Sequence, residues 1–150
     1  MTNKSILLVE DNSTDEKLTI RAFKKSGISN EVVVVRDGAD ALDYLFGTGA
    51  YEGRDVTVLP AIVLLDLKLP KVDGMEVLRR VRADPCTRLV PVIVLTASKE
   101  DEDVLGSYAL GANAYVRKPV EFNEFASAAK ALALFWLLVN EPVPPRRGAS

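Results

Sequence analysis

Five short apolar runs divide the chain, at residues 6–9, 32–35, 61–65, 92–95 and 114–116. They are rich in Val, Ile and Leu and do not alternate with polar residues. Strands read this way when both faces of a parallel sheet are covered. Helical patterns lie between them. Ser13 followed by Glu16 is a capping-box pattern, with Leu18, Ala22 and Phe23 as an apolar stripe and Gly27 as the stop. Asp37-Gly38 opens a second helix reaching 44–46. Met75, Leu78 and Val81 mark a third, closed by Pro85. Ser98 opens a fourth through Val104, Leu105 and Tyr108, closed by Gly111; Gly106 inside it costs about 1 kcal/mol relative to alanine. A fifth is expected over about 121–139. Strand and helix thus alternate five times, which predicts an α/β fold with a parallel sheet. The longest irregular stretch, 47–59, reads as a surface loop. Pro142, Pro144 and Pro145 make 140–150 an extended or disordered tail after one domain at 4–139.

Composition narrows the chemistry. The 150 residues carry a net charge of −2, which offers no basic footprint for a nucleic acid. One cysteine, Cys86, allows no internal disulfide and suits a reducing compartment. The apolar run at 131–139 is far shorter than the roughly 20 residues a membrane span needs, and the first apolar run is too brief for a secretory signal. A cytoplasmic protein without a membrane or nucleic-acid partner is therefore expected. The chain contains no histidine, which removes imidazole triads, His-ligated zinc and phosphohistidine chemistry.

Polar residues follow the apolar runs at informative places: Glu10-Asp11 after the first, Asp66 after the third, Thr96-Ala97-Ser98 after the fourth and Lys118-Pro119 after the fifth. Open α/β sheets bind ligands beyond the carboxyl ends of their strands, where strand order reverses. If the order is 2-1-3-4-5, Glu10, Asp11 and Asp66 converge there. Three adjacent carboxylates repel and call for a cation. Mg²⁺ is the natural choice for an all-oxygen donor set, whereas zinc or copper would want His or Cys. With Mg²⁺ bound, Lys118 and the Thr96 hydroxyl can take phosphoryl oxygens and Asp66 can be the nucleophile of an aspartyl phosphate.

The ordered set Glu10-Asp11-Asn12, 62–66 with Leu69-Pro70 and Asp73-Gly74, Leu95-Thr96-Ala97, Gly111-Ala112 and Lys118-Pro119 resembles the response-regulator receiver domain of two-component signalling, over about residues 4–139. The resemblance implies a doubly wound, flavodoxin-like five-stranded sheet of order 2-1-3-4-5. It implies Asp66 as phosphoacceptor. Asp11, Asp66 and the Lys68 carbonyl would ligate Mg²⁺, and Glu10 would hold a metal-bound water. Thr96 and Lys118 would contact the phosphoryl group, and Tyr115 would be the switch aromatic. A cis peptide is expected before Pro119. A sensor histidine kinase would be the phosphodonor. The loop at 47–59, Arg82-Ala83-Asp84-Pro85 and Phe135-Trp136 are similar to the single-domain receivers that partner bacterial and cyanobacterial phytochromes.

The fifth helix is apolar on nearly every side: Phe122, Phe125, Ala129, Leu132 and Trp136 share one face, while Leu134, Phe135 and Leu138 project elsewhere. The expected explanation is a homodimer through that helix, with the tail reaching onto the partner; the alternative is a helix covered by its own tail. Two rival functions remain. A haloacid-dehalogenase-like phosphohydrolase resembles Asp-x-Asp, but Lys68 stands at the second acid. A non-phosphorylated interaction module would use the same fold without the chemistry. With about ten residues after the last helix, output is expected through protein contact or phosphorelay rather than through a following domain, and the protein is expected to catalyse only its own phosphorylation and dephosphorylation.

Overall fold

The strands are β1 (Ile6–Val9), β2 (Val32–Val35), β3 (Ile62–Leu65), β4 (Val92–Thr96) and β5 (Ala114–Arg117), all parallel in the order 2-1-3-4-5. The computed structural model describes residues 5–96 and 101–118, with Glu124, Ser127 and Ala131. The helices are α1 (Ser13–Lys25), α2 (Gly38–Phe46), α3 (Gly74–Ala83) and α4 (Asp101–Ala109). β1 pairs with β2 on one side and β3 on the other, so the winding direction reverses at β1.

Strand residues alternate between two cores. Leu7, Val9, Val63, Leu65, Val92 and Val94 face α2 and α3, meeting Leu42, Leu45, Leu78 and Val81. Ile6, Leu8, Ile62, Leu64 and Ile93 face the other way, meeting Phe23 of α1. Every residue of β1, β3 and β4 is buried. Each such aliphatic side chain contributes about 1.5–3 kcal/mol, so the sheet centre is a stiff platform for whatever stands at its ends.

Several local expectations change. The cap of α1 is Asn12, whose side chain accepts from the Asp15 amide at 3.0 Å; Ser13 is already helical, and Glu16 pairs with Arg36 instead of closing a capping box. Leu18 is exposed, and Thr19 joins Ala22 and Phe23 on the buried face. On α4, Leu105 and Tyr108 are exposed while Ser107 is fully buried. Gly106 has a packing reason: a Cβ there would stand 2.8 Å from the Met75 methyl of α3. The 47–59 stretch is a surface segment as expected, but it contains a 3₁₀ turn at Gly49–Tyr51. Tyr51 meets Tyr44 edge-on, and Arg54 stacks 4.0 Å from the Tyr44 ring.

Glu124, Ser127 and Ala131 are helical and exposed. The rest of the expected fifth helix, the Lys118–Pro119 peptide, the Ser98 helix start and the 140–150 tail lie outside the described residues.

Candidate functional site

The sheet delivers three acids to one point. Glu10 continues β1, its amide donating to the Val35 carbonyl at 3.0 Å, and Asp66 continues β3, its amide donating to the Val9 carbonyl at 3.1 Å. Asp11 follows at the mouth of α1. Carboxylate oxygens of Glu10, Asp11 and Asp66 all lie within 4.8 Å of one another. Glu10 is 1% exposed and Asp66 7%, whereas Asp11 faces solvent.

Lys118, the first residue after β5, supplies the opposing charge. Its ammonium donates to Glu10 Oε2 at 2.5 Å, Asp15 Oδ2 at 2.9 Å and Asp66 Oδ2 at 3.3 Å. Its amide donates to the Thr96 carbonyl at 2.7 Å, which ties the β5 end to the β4 end. Burial opposes the Lys118 charge, but Glu10, Asp15 and Asp66 outweigh it and hold its pKa above the usual lysine range. Burial pushes the Glu10 carboxyl up to about 7; the Lys118 hydrogen bond pulls it back and the Asp66 charge adds to the rise.

The loop after β3 is held against the acceptor. The Lys68 amide donates to Asp66 Oδ1 at 3.2 Å, and the Gly74 amide donates to the Leu67 carbonyl at 2.9 Å. A Cβ on Gly74 would stand 2.3 Å from the Asp66 carbonyl oxygen, so only glycine lets α3 start this close. Asp73 caps α3 through the Met75 amide at 2.7 Å. The Lys68 ammonium reaches across to Asp103 of α4 at 3.6 Å. Thr96 is fully buried at the β4 end, and Tyr115 of β5 is half-buried against the core shared by α2 and α3.

Glu10, Asp11, Asp66, Thr96 and Lys118 thus stand at or just beyond the carboxyl ends of β1, β3, β4 and β5, whereas Tyr115 lies within β5, paired with Val94. Asp15 was not expected. It sits in the first turn of α1, where helical side chains point back toward the helix start, here toward the strand ends.

The response regulator receiver domain family matches residues 6–130. The chain belongs to this family. A curated relative, the probable methanogenesis regulatory protein FilR2 of Methanothrix harundinacea (strain 6Ac), is 41% identical over 93% of this chain and 88% of its own length. Response regulator Rcp1 of Synechocystis sp. is 39% identical over 89% of each chain, and its Mn²⁺-bound crystal structure superposes with a TM-score of 0.82 at 37% identity, covering 94% of this chain and 99% of that one. The bacteriophytochrome response regulator RtBRR is 54% identical, with a TM-score of 0.78, over 96% of this chain and 86% of that one.

The donor set fits the divalent cation that such an acidic pocket takes. Its side chains offer carboxylate oxygens, and a lysine ammonium already stands as a counter-cation between Glu10 and Asp66. Among the described residues no helix is long and apolar enough to cross a membrane.

Proposed function

We propose that Asp66 accepts a phosphoryl group from a sensor histidine kinase and that Mg²⁺ is the cation of the site. One observation carries this reading: Asp66 stands at the reversal of the sheet with Glu10 and Asp11 on one side and the Lys118 ammonium on the other. Asp11, Asp66 and the Lys68 carbonyl would hold Mg²⁺, with Glu10 steadying it. When bound, the ion supplies charge neutralisation and orientation for an incoming phosphoryl group.

This chain's own residues do the rest. An Asp66 carboxylate oxygen attacks the phosphorus, and the bond from phosphorus to the donor nitrogen breaks with its electron pair leaving on the donor imidazole. Lys118 offers its ammonium to the phosphoryl oxygens, and the buried Thr96 hydroxyl meets them from the β4 side. Tyr115 on β5 follows Thr96 and carries the change outward. The domain at 4–139 catalyses only its own phosphorylation and dephosphorylation. A bacteriophytochrome-type kinase is the proposed donor because Rcp1 and RtBRR, the latter by name a bacteriophytochrome response regulator, resemble this chain over most of their length. We place the protein in the cytoplasm, where such kinase domains work, and its output in protein contact or phosphorelay. The apolar positions Leu134, Phe135 and Leu138, with the tail at 140–150, support a homodimer.

Incubation with acetyl phosphate and Mg²⁺ followed by intact mass is the test. One added phosphoryl group is expected, absent without the cation and absent in Asp66→Asn. No adduct from acetyl phosphate or a phosphorylated kinase would leave the interaction-module reading in its place. For the dimer, sedimentation of Phe135→Glu should give the monomer mass beside a dimeric wild type; a mass equal to wild type refutes that interface.

A further inference from the structure

Three carboxylates compete for one ammonium in this site, and only two of them belong to the acidic cluster. Lys118 Nζ has three protons and three acceptors: Glu10 at 2.5 Å, Asp15 at 2.9 Å and Asp66 at 3.3 Å. Glu10 and Asp66 are also the acids that meet Asp11 around a common point; Asp15 is not among them. The lysine and a divalent cation therefore draw on the same two carboxylates. A cation that takes them removes two of the three partners of an ammonium whose side chain is only 12% exposed. A buried charge left unpaired is costly, so the lysine resists unless a further anion receives it.

We infer that Asp15 is that receiver: a positioning residue that holds the Lys118 ammonium when a divalent cation claims Glu10 and Asp66. Its placement suits the task. The Asp15 amide is fixed by Asn12 Oδ1 at 3.0 Å, and its carbonyl accepts from the Thr19 hydroxyl at 2.8 Å, so the side chain leaves a rigid first turn. The carboxylate is about one-third exposed, at the rim of the pocket rather than its floor. Pairing with it lets Lys118 stay beside Asp66, where a phosphoryl group would need it, without blocking the cation. Loss of Asp15 leaves the ammonium dependent on Glu10 and Asp66, and the cation must displace it outright.

The inference rests on the cation-binding reading above, and the test separates the two. Free Mn²⁺, followed by electron paramagnetic resonance, is titrated against wild type, Asp15→Asn, Asp15→Glu, Lys118→Ala and the Asp15→Asn/Lys118→Ala pair, with circular dichroism confirming each fold. Asp15→Asn should bind Mn²⁺ about two- to fivefold more weakly, the scale of a partly exposed ion pair, and Asp15→Glu should bind as wild type does. In the Lys118→Ala background Asp15→Asn should change nothing, because the residue acts through the lysine. An Asp15→Asn affinity equal to or tighter than wild type overturns the inference. So does an equal weakening in the Lys118→Ala background, which would make Asp15 act on the cation directly. Absence of Mn²⁺ binding by wild type would instead sink the cation site itself.

Discussion

Arg82 in the last turn of α3 should be one of the most costly single side chains to remove outside the two apolar cores. Its guanidinium makes five hydrogen bonds: Nε and Nη2 to the Gly111 carbonyl at 2.9 and 2.7 Å, Nη1 to the Arg88 and Val90 carbonyls at 2.9 and 2.6 Å, and Nη2 to Asn113 Oδ1 at 3.1 Å. Burial lowers its pKa from the usual value, yet an arginine stays charged. Bonds to a charged group contribute about 1.5–3 kcal/mol each, but the five share one side chain, and the more exposed carbonyls regain water when it goes. The expected loss in Arg82→Ala is therefore about 3 kcal/mol, or roughly 6–12 °C in Tm for a chain of this length. Arg82→Lys should recover less than half, because a point charge cannot serve the whole fork. The contacts sit at the amino ends of β4 and β5, far from the acids, so phosphorylation of Asp66 below the transition temperature should be unchanged. Urea unfolding followed by circular dichroism measures the first quantity. A loss under about 1 kcal/mol, or full rescue by lysine, would refute this account of the clamp.

Gly74→Ala should cost at least about 3 kcal/mol and slow phosphorylation in the folded fraction, because the added methyl meets the Asp66 carbonyl; urea curves within about 1 kcal/mol of wild type would contradict this. Glu76, held down to about 2 by hydrogen bonds from Arg79 and then Arg80, gives a pH signature. A depressed carboxyl stabilises the fold above its unfolded value of 4.5 and loses that effect as pH falls through about 2. Low-salt thermal melts should therefore show Glu76→Gln less stable than wild type at neutral pH, with the gap closing on acidification and in high salt.

Much of this was legible in the chain because strand burial and strand-end chemistry are local signals. The apolar runs came within a residue of the strands, and the acids after the first and third runs met once β1 stood between β2 and β3. What was not legible depends on side-chain direction across elements. Asn12 and Ser13 are both good caps, and only the extended backbone of Asn12 decides between them. Leu105 and Tyr108 mark the fourth helix in the sequence, yet α4 turns Ser107 inward, close to the Met75 sulfur, and leaves them exposed. Arg82 was visible only as part of a resemblance; its role needs the turn at Gly111, twenty-nine residues later in sequence, to fold back onto it. Asp15 needed the position of Lys118, more than a hundred residues away.

The central claim concerns one oxygen, and chemical trapping tests it directly. After phosphorylation by acetyl phosphate with Mg²⁺, borohydride reduction converts an aspartyl phosphate to homoserine, which peptide mass spectrometry locates. The account predicts homoserine at position 66 alone, with Asp11 and Asp15 unchanged. Homoserine at another acid, or a phosphoryl group that resists reduction, would contradict it.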